Sequence, residues 1–250
     1  RGRALGLKVY NLLAGKYGFG PSRILSREET LRRLPTIRTE GLRGGVVYLD
    51  GQFDDARLLI NLVATAVSQG AALLNYARVI GMTRDAEGFI NGVLAREEES
   101  GEEFAAPARV VVNASGAFCD SVRRLADPGV RPLIAPSQGI HLVFDRTFLP
   151  GASAIMVPHT SDGRVLFAIP WHAHTLVGTT DTPVAVPTLD PSPLEEEIEF
   201  VLGTAGQYLE KAPSRRDVLS AFAGIRPLVG VGNRENTAAL SRDHTLQIDG

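Results

Sequence analysis

PSQGIHLVFD, residues 136–145, alternates along its length: Gly139, His141 and Val143 fall on one side, and Ile140, Leu142 and Phe144 on the other. A period of two is the mark of a strand with unlike faces. The Ile–Leu–Phe side is the expected core face. His141 therefore points away from the apolar side, beside a glycine that leaves room around it. One such strand needs neighbours, and the following residues supply them. Strands are expected near 131–144, 153–158, 164–170 and 174–179, with turn signals at Pro150-Gly151 and Ser161-Asp162-Gly163, a spacing that describes an antiparallel sheet. A long helix comes next, with Ser192 as its N-cap, Pro193 at its first position and Glu195 completing a capping box. Leu194, Ile198, Val201, Leu202 and Ala205 line one side of it, and another strand is expected over 217–225.

Upstream, the pattern differs. A basic amphipathic helix is expected over 3–14, a loop over 17–23, and a short helix over 26–34 capped by Ser26 and Glu29 and ended by Pro35. VVYLDG (46–51) is a short strand. Leu59, Leu62, Val63, Ala66 and Val67 then recur at helical spacing up to Gly70. LLNYARVIGMTRD, FINGVLARE and EFAAPARVVVNAS form a three-stranded antiparallel meander. The apolar run ARVVVNAS (108–115) is expected to lie buried on both faces of a central sheet. A short helix over 117–126 follows. The fold class is therefore a mixed α/β or α+β chain of two intermixed layers.

Composition narrows the function without naming it. The chain has 250 residues, 44% hydrophobic and 22% charged, with a formal net charge of −2. No overall field favours nucleic acid. A single cysteine, Cys119, excludes an internal disulfide framework and a cysteine-based zinc site. No apolar run reaches the ~18 residues of a membrane span. Residue 1 is an arginine and TLQI sits near the last residue, so the chain is expected to be excised from something longer.

Four places hold candidate chemistry. His141 is suited to take a proton from an alcohol, against the plainer role of a hydrogen-bonded surface histidine. In SAFAGIRPL (220–228), Arg226 sits at the end of an apolar run and is stiffened by Pro227. A guanidinium held that way has an anion opposite, either a substrate or Asp181. VGTTDTP (177–183) offers Thr179, Thr180 and Asp181 to a ligand, or else forms a turn that satisfies itself. Arg242 is a second arginine flanked by apolar sequence. Two arginines and an imidazole suit a small phosphorylated alcohol. Ala114-Ser115-Gly116, between a strand end and a helix start, fits a phosphate or a tight structural turn. His172 and His174 share a strand face but lack an obvious third ligand, and no pattern links His159 to them, so no metal is expected.

Taken in order, DGQFDDARL, VVNASGAFCDSVR, APSQGIHLV, VLFAIPW, LVGTTDTP, FAGIRPL and ALSRDH resemble the flavin-dependent glycerol-3-phosphate dehydrogenases, within the D-amino-acid-oxidase-like flavoprotein superfamily. The resemblance covers nearly the whole chain from Gly44 onward. It implies a partial Rossmann-like FAD-binding domain interleaved with an antiparallel substrate (cap) domain: residues 1–43 and 127–234 in the cap, 44–126 in the FAD domain, and 235–250 returning to it. It implies oxidation of sn-glycerol 3-phosphate to dihydroxyacetone phosphate, with FAD as cofactor and a quinone as acceptor. It also implies a homodimer in the cytoplasm, peripheral at the inner face of the membrane, with no nucleic-acid partner. His141 matches the active-site histidine, and Arg226 and Arg242 the substrate arginines; Thr180, from its own segment, is the further candidate for binding the substrate. Val79 matches the position whose backbone meets adenine, and Ala114, Ser115 and Gly116 the segment along the FAD phosphates. The readings left standing beside it are an oxidase using O2, a cofactor-free binding module, and an amino-acid oxidase.

The family's GxGxxG turn is expected ahead of residue 1, and its GGK segment and helical domain after the last residue. The chain is thus expected to be an internal fragment that by itself holds FAD weakly or not at all.

Overall fold

The computed structural model describes residues 20–157, 160, 165–230, 240 and 245–249. The helix expected over 3–14 and the greater part of 235–250 lie outside them. In chain order the elements are β1 (Arg23–Leu25), α1 (Arg27–Arg33), β2 (Gly45–Val47), α2 (Asp55–Ser68), β3 (Ala77–Arg84), β4 (Ile90–Glu97), β5 (Glu103–Pro107), α3 (Cys119–Ala126), β6 (Ile134–Asp145), β7 (Ile155–Val157), β8 (Leu166–Trp171), β9 (His174–Gly178), β10 (Thr182–Pro183), α4 (Glu195–Tyr208) and β11 (Ser220–Val229). They divide into two units, one built from residues 20–50 and 135–228, the other from 51–134 with 229 and 230.

The first unit is organised on β6. The sheet runs β10-β6-β9-β8-β7, and β11 also pairs with β6. His141 stands opposite Gly178, Val143 opposite Leu176, and Gln138 opposite Thr182. As the alternation requires, Ile140, Leu142 and Phe144 are buried to 1% exposure or less. They pack with Val177, Leu166 and Val157 and with the inner side of α4, where Ile198, Val201, Leu202 and Ala205 are buried. Fully burying each large side chain of this set is worth about 2 kcal/mol. That layer of sheet and helix fixes the other face of β6, where His141 lies.

α1 begins with the expected capping box: Glu29 N donates to Ser26 Oγ at 3.1 Å and Ser26 N donates to Glu29 Oε2 at 2.8 Å. α4 starts two residues later than its sequence predicts. Leu194, not Ser192, occupies the cap, and the reciprocal bond comes from Glu197, whose Oε2 accepts from Leu194 N at 3.0 Å. The acid three places along decides the start, because the Glu197 carboxylate is committed to partners inside the protein.

The second unit contains the meander β3-β4-β5, antiparallel throughout, and the helices α2 and α3. Asp54 caps α2 by accepting from Arg57 N at 3.0 Å. Asp120 ties α3 to the chain entering β6. Its carboxylate accepts from Leu133 N, Ile134 N and the Arg123 guanidinium, each at 3.0 Å. Burial alone would raise the Asp120 pKa, but the hydrogen bonds from Ile134 N and Leu133 N and the Arg123 charge outweigh it and hold the carboxyl below its ordinary range.

One expectation fails in this unit. Residues 108–115 are not a strand: β5 ends at Pro107, and Val110 and Val112 are 75% and 77% exposed. An apolar run becomes a strand only when a neighbour pairs its backbone groups, and among the described residues none runs beside it.

Candidate functional site

The site is built on one face of β6. Gly139 and His141 lie two residues apart on that face, about 7 Å along the strand. β11 brings Arg226 to the glycine. The guanidinium is half-buried and donates from Nη2 to Thr179 Oγ1 at 2.8 Å and from Nη1 to Thr180 O at 3.1 Å. A methyl group on Gly139 would sit 2.5 Å from Arg226 Nη1 and 2.6 Å from Thr179 Oγ1, so the absent side chain is what lets the arginine reach the strand.

His141 owes its place to a second glycine. Gly178 faces it across β9, and a Cβ there would lie 2.5 Å from His141 Cδ2 and 2.6 Å from Ile140 O. Phe222 of β11 covers the imidazole, with ring centroids 5.4 Å apart and planes inclined by 16°. Burial first, and the Arg226 charge second, push the imidazole pKa below its ordinary value. The ring is therefore neutral at pH 7 and able to accept a proton. The Gly139 contact sets the guanidinium one alternation along the strand face from the imidazole, near enough for its charge to act on the ring.

Thr180 differs from its sequence assignment. It is 3% exposed, and its hydroxyl accepts from Ile140 N at 3.1 Å while donating to Glu197 Oε1 at 2.8 Å. A hydroxyl so engaged supports the site from behind instead of touching a substrate; only its carbonyl reaches Arg226. The neighbouring Asp181 is buried and accepts from Ser137 Oγ. Arg242 lies outside the described residues, as does His159. His172 occupies the turn between β8 and β9 with its carbonyl accepting from Arg146, and His174 is exposed at the start of β9. Among the described residues no group of three or more His, Cys, Asp or Glu is arranged to hold a metal.

The residues assigned to FAD lie in the second unit. Val79 is in β3 opposite Ala95, beside a break in register that precedes Gly81. Ala114 and Ser115 are exposed, and Gly116 takes φ +57° at the start of the short helical turn Gly116–Phe118 that runs into α3. The Ser115 N–H and hydroxyl both donate to Asn113 Oδ1, at 3.3 and 2.6 Å. The Ser115 N–H thus serves a local turn, as the tight-turn alternative for this stretch requires.

By sequence Glu197 reads only as one of the acids suited to the positive end of a helix dipole, because the run Glu195-Glu196-Glu197 resembles the acidic first turn of any surface helix. The signal was present in Thr180 and Thr182, two hydroxyls at strand spacing on the segment beside it.

A protein-family model described as "FAD dependent oxidoreductase" matches residues 3–242. The chain is 43% identical over 247 residues to the mitochondrial glycerol-3-phosphate dehydrogenase SDP6 of Arabidopsis thaliana, covering 97% of this chain and 39% of that protein. It is 39% identical over 251 residues to the mitochondrial glycerol-3-phosphate dehydrogenase of Mus musculus, covering 98% of this chain and 34% of that one. Among solved structures, the FAD-complexed glycerol-3-phosphate dehydrogenase of Bacillus halodurans superposes with a TM-score of 0.77 at 33% identity, over 83% of this chain and 42% of that one. The chain thus spans about two fifths of the length of the proteins it matches, or less.

Proposed function

Because the chain belongs to the family of FAD-dependent oxidoreductases, we propose that it carries the substrate cleft of an enzyme that oxidises sn-glycerol 3-phosphate to dihydroxyacetone phosphate. The observation that carries the reading is the seating of Arg226 against Gly139, two residues along the same strand face from a neutral His141. A fixed cation and a proton acceptor that close together suit an alcohol with an anionic group nearby. The relatives named glycerol-3-phosphate dehydrogenase, at 43% and 39% identity, support that substrate.

In this reading His141 takes the proton of the substrate hydroxyl as C2 becomes a carbonyl carbon. Arg226 holds the substrate anion and, through its charge, keeps the imidazole in the basic form. Phe222 stacked on one side and the β9 backbone on another shield part of the ring from water. FAD, when bound, supplies the acceptor for the hydrogen and electron pair that leave C2. The residues here fit it in part: Gly116 has the left-handed backbone that permits a close approach, and Ala114 and Ser115 are open beside it, although the Ser115 N–H is engaged.

For the final acceptor we propose a quinone, supported by relatives named mitochondrial dehydrogenases. Such an acceptor implies work at a membrane surface; no described helix is long and apolar enough to cross a membrane. The test is anaerobic reduction of the longer, FAD-loaded protein to which this segment is proposed to belong, followed at the flavin absorbance. Glycerol 3-phosphate is expected to bleach it and glycerol is not, with Arg226→Ala weakening the response about 100-fold. Bleaching by amino acids and not by glycerol 3-phosphate would refute the reading. Peroxide formed under air at the rate of substrate oxidation would replace quinone with oxygen.

A further inference from the structure

We propose that Glu197 is the positioning residue of this site, holding strand β6, which carries His141, in register with the 179–182 segment against which Arg226 of β11 is bonded. The inference rests on the substrate reading above for its consequences in turnover, but its geometry stands apart from it. Glu197 is 3% exposed and is approached by donors alone. Oε1 accepts from Thr180 Oγ1 at 2.8 Å and Thr182 Oγ1 at 2.6 Å; Oε2 accepts from Gln138 Nε2 at 2.8 Å and Leu194 N at 3.0 Å.

Three of those donors belong to the site's own framework. Gln138 immediately precedes Gly139, the residue against which the guanidinium rests. Thr180 gives its carbonyl to Arg226 Nη1 and takes the N–H of Ile140, the residue before His141. Thr182 stands opposite Gln138 in the β10–β6 pair. A single carboxylate on α4 thus clamps the β6 strand to the 179–182 segment at the point where Arg226 crosses between them.

An ionised carboxylate accepts on both sides at once. A glutamine of the same shape has one acceptor oxygen, so its NH2 would face either the two hydroxyls or the N–H donors of Gln138 and Leu194. Burial acts to raise the pKa of Glu197, but the bonds from Thr182, Leu194 N, Gln138 and Thr180 prevail and hold it below its ordinary range. Burying a charge is costly unless it is fully bonded. Here that cost secures four bonds, two at each oxygen, of which a single amide oxygen could take only two; three of the four go to Gln138, Thr180 and Thr182, on the segments that meet at the Arg226 seat.

The test uses the longer FAD-loaded protein to which this segment is proposed to belong, as wild type, Glu197→Gln, Arg226→Lys and the double variant. The probes are sn-glycerol 3-phosphate in turnover and inorganic phosphate in calorimetric titration. Glu197→Gln is expected to raise KM about tenfold with a smaller change in kcat, and to weaken phosphate by a similar factor. On top of Arg226→Lys it is expected to add almost nothing, because both act through one guanidinium. Glu195→Gln, exposed on the same helix turn, is expected to change neither. If Glu197→Gln does not fold, Thr180→Val, which keeps the shape and removes the hydroxyl, takes its place in the cycle. Additive losses would overturn the proposal, as would a crystal structure of the variant with Arg226 still bonded to Thr179 and Thr180. A wild type inert toward glycerol 3-phosphate would sink the substrate reading alone, since that crystal structure still decides whether Glu197 holds Arg226.

Discussion

Gly139→Ala separates what the site needs from what the fold needs. The added methyl would lie 2.5 Å from Arg226 Nη1 and 2.6 Å from Thr179 Oγ1, and closer still to Nη2. Ordinary carbon–nitrogen contact begins near 3.5 Å, so the guanidinium must retreat by about 1 Å. Its bonds to Thr179 and Thr180, 2.8 and 3.1 Å long, do not survive that retreat. The arginine is half-buried and long, and it can swing into water. Two lost bonds cost about 1 kcal/mol each, and the stiffer unfolded chain returns about 0.4–1 kcal/mol. The net destabilisation is about 1–2 kcal/mol, a fall of a few degrees in Tm. Function pays more, for a 1 Å misplacement of a substrate-holding group costs roughly 100-fold, or about 2.7 kcal/mol. Steady-state kcat/KM beside a thermal melt reads both quantities. Gly178→Ala is the internal comparison. Its methyl would strike Ile140 O at 2.6 Å, a backbone atom that cannot swing aside, so that variant should lose stability by a further 1–3 kcal/mol or so. Full activity in Gly139→Ala would refute the claim that Arg226 is seated by an absent side chain.

The remaining expectations concern pH and stability. The His141 imidazole is held below its ordinary value of 6.5, so as pH falls the unfolded chain takes up the proton first. Stability from this group is complete above about 6.5 and is lost between there and the folded value; His141→Asn should flatten that portion of a Tm-versus-pH curve. In kcat/KM the acidic limb should fall below 6.5 and move upward in Arg226→Met, which removes the second of the two causes. Asp120→Asn should destabilise by about 3 kcal/mol in denaturant titration, because it removes a buried carboxylate that accepts from Arg123, Leu133 N and Ile134 N. Thr175→Val should stabilise by about 1 kcal/mol in the same assay, since Thr175 Oγ1 is buried with no hydrogen-bond partner among the described residues; a loss of stability would mean that the hydroxyl has one.

The sheet of the first unit was legible because its signal is local. Ile140, Leu142 and Phe144 alternate with Gly139, His141 and Val143, and burial follows the alternation residue by residue. The meander was legible for the same reason, its turns being marked by glycine and acids. Residues 108–115 show the limit: valines announce surface that gains from burial, yet say nothing about which strand will pair with them. The start of α4 shows another. Ser192, Pro193 and Glu195 satisfy the local grammar of a cap, but Glu197 has partners near residues 138 and 180, and a long-range demand overrode a short-range preference. Arg226 was singled out by its neighbours in sequence, whereas its seat against Gly139 depends on a strand pairing that no single stretch contains. The Thr180 hydroxyl turns inward to Glu197 and Ile140 N, a direction that the sequence of its segment does not reveal.

Helix α2 presents Leu58, Leu59, Ile60, Leu62, Val63 and Val67 to solvent and buries none of its residues. Association through such a surface strengthens on warming and in sulfate. Purified alone, this polypeptide should turn cloudy on gentle heating well before its first unit melts. Mild detergent, by coating the greasy flank, should delay the turbidity without shifting the calorimetric peak.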